Sequence, residues 1–289
     1  MIAMNILSFG EILWDIYPDE RCLGGAPLNF IAHAQRNGAN GFLMSAVGLD
    51  ELGAVAKKSV RDLGVDDRFV AKLSDKQTGK CIVSLDGNGV PTYHLLNDVA
   101  YDYIPFDERL KEKTFDALAF GTLALRGVAN RECVQSLINA RIARWIYCDL
   151  NLRPPFYDKG SVEFCLRNAN ILKLSEDEVY TTADTFGIRV ETQEEKVCAI
   201  AVAFPNLKII VVTLGEKGSF AYECERKVIT YCKAVETEVV STVGAGDAFG
   251  SAFLTAYLSG VSVKESLQRG AERSALVIAQ KGAIPNIKV

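Results

Sequence analysis

Apolar, β-rich runs recur along the chain at Asn5–Phe9, Phe42–Val47, Phe115–Phe120, Trp145–Leu150, Ala169–Leu172, Lys208–Thr213 and Phe220–Cys224. Between them, apolar residues return at the helical period in Pro27–Asn37, Glu51–Leu63, Arg131–Arg141, Val162–Asn168, Asp177–Phe186 and Glu194–Phe204. Gly38 and Gly64 stand where C-terminal helix caps belong. Strand–helix alternation of this kind predicts an α/β fold with a largely parallel sheet and helices on both faces. The C-terminal part changes pattern, and Gly246–Leu258 and Lys264–Ala279 read as two consecutive amphipathic helices. One stretch breaks the alternation: Thr78–Leu85 and Thr92–Leu96 are short strand-like runs joined by Asp86-Gly87-Asn88-Gly89, a hairpin signal. With the extended Ile12–Tyr17, they predict a small β-sheet standing on the main body as a cover. The expected organisation is one domain over 1–289, its cover built from roughly 12–22 and 78–100.

Composition narrows the function. Of 289 residues, 49% are hydrophobic and 24% charged, enough to bury an ample core. A net charge of −4 gives no electrostatic reason for a nucleic-acid or anionic-membrane partner. Charge, Gly or Pro interrupts every apolar stretch before it reaches membrane-spanning length, and the N-terminus reads as a first strand, not a signal peptide. The eight cysteines include no C-x-x-C pair, and Cys133, Cys148, Cys165 and Cys198 lie in apolar segments as expected reduced core residues. That pattern points to the cytoplasm. His33 and His94 are far apart without zinc spacing, so a metal-dependent hydrolase has no support. His33 reads as structural and His94 as facing the covered side of the small sheet.

The chemistry concentrates in Ser241-Thr242-Val243-Gly244-Ala245-Gly246-Asp247-Ala248-Phe249, which follows the strand-like Glu238–Val240 and opens a helix. Small residues at 244–246 leave backbone N–H groups unshielded at a helix N-terminus, where they and the helix dipole attract anions. Asp247, in the first turn, can take a proton from an attacking hydroxyl; the bland alternative is that it only caps the helix. Thr213-Leu214-Gly215-Glu216-Lys217-Gly218 ends a strand at the edge where α/β sheets bind ligands, although a plain tight turn would have the same composition. No Walker A loop and no early G-x-G-x-x-G are present, which argues against P-loop and Rossmann chemistry. Gly24-Gly25-Ala26-Pro27-Leu28-Asn29 allows close backbone approach and supplies an amide suited to a polyol, and Asp15 is a second candidate for sugar hydroxyls. Asp149, Asn151 and Arg153 alternate at the end of a buried strand and read as converging polar groups.

In this order and spacing, Gly10–Asp15, Gly24–Asn29, Val47–Asp50, Asp149–Arg153, Thr213–Gly218, Gly244–Asp247 and Lys281-Gly282-Ala283 resemble the ribokinase-like (PfkB) carbohydrate kinases, fructokinases above all. The resemblance implies a three-layer α/β/α ribokinase-like fold with a β-sheet lid over the sugar, and ATP-dependent transfer to a primary hydroxyl, that of fructose first. It implies Asp247 as catalytic base and Gly244, Ala245 and Gly246 as the anion hole. Asp15, Gly24, Gly25, Asn29 and Arg153 would contact the sugar. Lys173, Ser175, Thr213, Gly215, Gly218, Gly246 and Ala271 would border the nucleotide, and Glu178 would meet Mg2+ through water. A monovalent cation, K+, would sit near Ser241, Val243, Val277, Gln280, Gly282 and Asn286. Two departures stand out: Ser241 replaces the family's usual Asp, and Ser175 replaces the Asn of an Asn-x-x-Glu motif. Alternatives within the resemblance are kinases for 2-keto-3-deoxygluconate, ribose or a nucleoside, and, in another class, a non-catalytic sensor keeping the fold. Lids of this family often pair between subunits, so a homodimer is an expected partner arrangement.

Overall fold

In the computed structural model, residues 4–85 and 91–286 are described; the Asp86–Gly89 turn lies outside them. The main sheet has nine strands, in the order β13 (Val228–Cys232), β12 (Ser219–Glu223), β11 (Ile209–Thr213), β10 (Ile171–Ser175), β9 (Ala143–Asp149), β8 (Phe115–Phe120), β1 (Asn5–Phe9), β4 (Asn40–Gly48) and β5 (Asp66–Leu73). The strands from β11 to β5 are mutually parallel, and β12 and β13 add as antiparallel edge strands.

Residue alternation along the strands sets the layers. Ile6, Ala117, Tyr147, Ile171 and Ile209 face one core, shared with α1 (Ala26–Arg36), α2 (Glu51–Asp62), α7 (Ala245–Leu258) and α8 (Val263–Ile278). Leu7, Leu118, Cys148, Leu172 and Ile210 face the other, covered by α3 (Val128–Asn139), α4 (Lys159–Asn168), α5 (Glu176–Thr185) and α6 (Gln193–Ala203). Because both faces are buried, the central strands are apolar throughout, which is why they were readable as continuous hydrophobic runs.

A second, four-stranded sheet runs β3 (Arg21–Gly24), β2 (Leu13–Ile16), β6 (Gly79–Leu85) and β7 (Pro91–Leu95). Asp50 ties it to the main body: the carboxylate caps α2 through Gly53 N (2.7 Å) and accepts from Thr78 N (2.8 Å) and Thr78 Oγ1 (2.6 Å) at the start of β6. Burial opposes the charge on Asp50, but these bonds outweigh it and hold its pKa below the usual carboxylate range.

Three strands escaped the periodicity. β3 and β13 are short and mostly unburied, and the edge strand β5, with sequence DDRFVAKL, buries only Phe69 and Val70. Glu238–Val240, expected as a strand, is instead a connecting segment whose Val240 N–H bonds Ile278 O at 2.7 Å. Cys133, Cys148 and Cys165 are buried, while Cys198 is only partly so, and all eight cysteines are unpaired thiols. Among the described residues no helix is long and apolar enough to cross a membrane.

Candidate active site

The C-terminal ends of β1, β9 and β10 meet the N-termini of α1 and α7 at one edge of the main sheet. After β1 the chain turns at Gly10-Glu11, visits the second sheet and returns through Gly24-Gly25 into α1. Gly25 has φ +115, and a Cβ there would lie 2.3 Å from the Glu11 carbonyl oxygen, so the turn admits only glycine. Pro27 opens α1 without sacrificing a backbone bond. One turn later Asn29, 6% exposed, donates from Nδ2 to Asp247 Oδ2 at 2.8 Å, while its Oδ1 is buried with no donor.

Gly244 starts α7 in the left-handed region (φ +80), its open side packed against Ala283, where a Cβ would approach Cα to 2.7 Å. No side chain caps this helix. The Ala245 N–H reaches back to Thr242 O at 3.3 Å, but the amides of Gly244, Gly246 and Asp247 have no acceptor among the described residues. The result is a cluster of uncommitted donors at the positive end of a 14-residue helix, with a carboxylate in its first turn.

A buried charge network lies beneath. Lys173 on β10 is the cross-strand neighbour of Asp149 on β9, and its Nζ donates to both carboxylate oxygens at 2.9 and 2.8 Å. Burial works against the Lys173 charge, yet Asp149, Glu178 and Asp247 outweigh it and hold its pKa above the ordinary lysine value. The Nζ lies under the Gly244–Gly246 turn, 3.3 Å from where a Cβ on Gly246 would sit. Burial, reinforced by Asp149, pushes Asp247 up to about 7, although Asn29, Lys173 and Arg153 pull the other way. Glu11 is likewise raised to about 7 by burial, against bonds from its own and the Ala26 N–H, with the Asp247 charge adding to the rise. Burial raises Asp15 as well, opposed by the Cys81 thiol and Arg153. A narrow cavity of about 20 Å3 opens onto Glu11, Asp149, Asn151 and Asp247.

The structure brings Asp15, Gly24, Gly25, Asn29 and Asp247 to this edge: a Cβ on Gly24 would lie 3.2 Å from Asp15 Oδ2, and Asn29 binds Asp247. Arg153 is exposed, makes no ion pair among the described residues, and bears electrostatically on Glu11, Asp15 and Asp247. Asp149 and Arg153 therefore differ: Asp149 is committed to Lys173, whereas Arg153 is exposed and unpaired among the described residues.

Ser175 caps α5 in a reciprocal box with Glu178, whose carboxylate accepts from Ser175 N (2.8 Å) and Leu152 N (2.6 Å). Burial and then Asp149 raise the Glu178 pKa. Thr213 is the strand neighbour of Ser175 and donates to Leu174 O at 3.4 Å. Gly215 (φ +60) has open space beside it. Gly218 does not: a Cβ there would strike Cys232 O at 2.2 Å, so close packing against β13 accounts for that glycine. Ala271 is buried on α8 in the core with Phe249 and Leu267. Ser241 N bonds Ile278 O (3.1 Å), which sets Ser241 and Val243 beside the segment carrying Val277, Gln280 and Gly282. The Val277 carbonyl accepts from Gln280 N at 3.0 Å, and Asn286 is exposed farther along.

His94 departs from expectation. It pairs with Ile82, whereas Asp15 pairs with Cys81, so alternation turns His94 to the face opposite Asp15. His33 is structural as expected, with Nε2 2.9 Å from Ala283 O and burial lowering its pKa to about 4. Sequence reasoning missed the roles of Glu11 and Tyr147. Tyr147 lies within an apolar run, and only coordinates reveal that its Oη would sit 2.1 Å from a Cβ on Gly250.

Comparison with known proteins bears on this geometry directly. The pattern of the pfkB family carbohydrate kinases matches residues 19–289. The chain belongs to that family. As a pfkB carbohydrate kinase it is a phosphotransferase acting on a sugar hydroxyl. It is 26% identical over 305 residues to an ATP-dependent 6-phosphofructokinase of Thermoanaerobacterium thermosaccharolyticum, covering 98% of this chain and 90% of the relative. It is 25% identical to a fructokinase of Escherichia coli, covering 98% and 96%. The solved structure of a Pyrococcus horikoshii sugar kinase in complex with ATP superposes with a TM-score of 0.82 at 26% identity, over 96% of this chain and 94% of that one. A Vibrio cholerae fructokinase bound to fructose, ADP and calcium shares the fold, with a TM-score of 0.81 at 22% identity over 97% and 94%. The pfkB fold thus accounts for both the nine-stranded sheet and the separate small one.

Proposed function

We propose that this kinase transfers the γ-phosphoryl group of ATP to the 6-hydroxyl of fructose, with Asp247 as the base. The observation that carries this is the seating of Asp247: a carboxylate held near pH-neutral titration, bonded to Asn29, beside three uncommitted amides at the start of α7. A sugar hydroxyl entering the cavity gives its proton to Asp247 as its oxygen attacks phosphorus, and the amides of Gly244, Gly246 and Asp247 stabilise charge on the moving phosphoryl oxygens. Ala245, turned to Thr242, contributes shape more than a donor. The buried Asn29 Oδ1 can accept from a neighbouring sugar hydroxyl, and Asp15, Gly24 and Gly25 line the same edge. The second sheet, formed by β2, β3, β6 and β7, covers that edge and acts as the lid that excludes water.

Among the described residues no cluster of three or more His, Cys, Asp or Glu could hold a metal alone. Mg2+ would be carried on the ATP phosphates, where Glu178 would meet its water shell and the ion would offset phosphate charge. Lys173, Ser175, Thr213, Gly215 and Ala271 border the nucleotide side. With Ser241 in place of an acid, the segments 241–243 and 277–282 present a weaker potassium site, and K+ stimulation is expected to be small.

Fructose rests on the E. coli relative and on the Gly-Gly-Ala-Pro sequence at 24–27. A second reading, an anionic sugar such as a sugar acid or sugar phosphate, is favoured by one observation: the unpaired Arg153 guanidinium facing the cavity acids. A coupled ADP-release assay over fructose, ribose, 2-keto-3-deoxygluconate and fructose 6-phosphate separates the two. Fructose should give the highest kcat/KM, and Arg153→Met should change it only modestly. Preference for an acidic sugar, lost by ~10-fold or more in Arg153→Met, would replace fructose with the anionic class.

A further inference from the structure

A second cavity, about 320 Å3, lies at the opposite ends of the helices that carry the site, between the last turn of α1, the C-terminal half of α7, and α8. It is lined by Arg36, Asn37, Thr255, Ser259 and Arg273. Its charge is not balanced. Arg269 pairs with Glu265 at 2.6 Å, and Glu272 accepts from Gln268 Nε2 at 3.0 Å. Arg36 and Arg273 form no ion pair among the described residues. Arg36 spends one nitrogen on the Pro285 carbonyl (2.6 Å), and Arg273 Nη1 is buried with no acceptor among the described residues. Burial lowers both guanidinium pKa values, and for Arg36 the charge of Arg273 adds to the effect.

Glu272 also lines the cavity but is exposed and bonded to Gln268, so two partly buried guanidiniums without an ion-pair partner among the described residues destabilise the fold unless something anionic joins them. Arginines near helix C-termini often serve the terminal carbonyls, but that role leaves Arg273 Nη1 unanswered. We propose that this cavity binds a phosphate group, either free phosphate or the head of a small phosphate ester, between the Arg36 and Arg273 forks, while the Thr255 and Ser259 hydroxyls on its wall donate to the Ser251 and Thr255 carbonyls. The volume exceeds what a lone phosphate fills and leaves room for a short ester tail.

The site connects to catalysis through a continuous contact chain. Arg36 holds Pro285 O, His33 holds Ala283 O, and Ala283 packs against Gly244 at the head of α7. An anion that repositions Arg36 acts on the segment supporting the Gly244 turn, about 22 Å along α7 from Ser259.

The test is calorimetric titration of inorganic phosphate, and separately of glycerol 3-phosphate, into the full chain at constant ionic strength, with Mg2+ and the β,γ-imido analogue of ATP filling the active site. Saturable binding is expected, weakened at least ~10-fold by Arg273→Met and by Ser259→Glu, which brings a competing carboxylate to an exposed position. Both variants should keep normal kcat and KM in phosphate-free buffer. Tighter binding of glycerol 3-phosphate than of phosphate identifies an ester as the natural occupant, and equal or weaker binding identifies free phosphate. Absence of saturable binding to the wild type, or less than ~10-fold weakening in a folded Ser259→Glu variant, overturns the proposal.

Discussion

Replacing Lys173 by Met probes the charge network under the anion turn. Lys173 and Asp149 have side chains only 7% and 13% exposed, and their two bonds run at 2.8 and 2.9 Å. Removing one partner of such a pair leaves a buried charge uncompensated and typically costs ~3–5 kcal/mol. For a chain this long, each kcal/mol moves Tm by about 2 °C, so a fall of ~6–10 °C is expected. The substitution also removes the cation that pulls down the pKa values of Asp247 and Glu178. The acid limb of the pH–rate profile should therefore move to higher pH. Differential scanning calorimetry and kcat/KM from pH 5 to 9 read the two effects, with Arg189→Met, which breaks an exposed pair with Asp184 (72% and 76%), as a control expected within ~0.5 kcal/mol. A further change of Asp149 to Leu should restore part of the lost stability. A Tm within ~2 °C of wild type together with an unmoved acid limb would refute the network as described.

Three other outcomes follow from the structure. Because Asp247 must be ionised to act and titrates at about 7, kcat/KM should fall tenfold per pH unit below neutrality, with a limb near 7 and not near 4 in rate measurements with a pH-independent coupling system. Between about pH 4 and 7 the folded chain keeps protons on Glu11 and Asp247 that the unfolded chain has released, so their contribution to stability falls as pH rises through that window; Glu11→Gln should flatten the slope in urea melts at pH 5 and 8. Gly250→Ala places a methyl 2.1 Å from Tyr147 Oη and should cost ~1–3 kcal/mol, with a large share recovered when Tyr147→Phe is added, as chemical denaturation of the double variant would record.

The fold was legible because its central strands are buried on both faces, so β1, β4, β8, β9 and β11 stand in the sequence almost at their true limits. The edge strands β5 and β13 were not, since a strand with one solvated side and few buried residues gives no strong periodic signal. Glycines told a mixed story. Gly24, Gly25 and Gly244 lie at the candidate site, but Gly218 is explained by the backbone of β13, a contact 14 residues away that no local motif encodes. The same holds for the convergence of Asn29 with Asp247, 218 residues apart, and for the Lys173–Asp149 pair, which depends on strand register. His94 illustrates the limit from the other side: its face follows from pairing with Ile82, and pairing is set by a hairpin, not by composition.

The most direct measurement is turnover by Asp247→Asn. The amide preserves size and can still accept from Asn29, so the cavity and the amide cluster remain. Steady-state ADP release should fall ~10²–10⁴-fold in kcat, equivalent to ~3–5 kcal/mol of barrier, while KM for sugar and ATP stays within about threefold. A kcat within tenfold of wild type, in a variant that melts normally, would remove Asp247 as the base and with it the chemical role assigned to the head of α7.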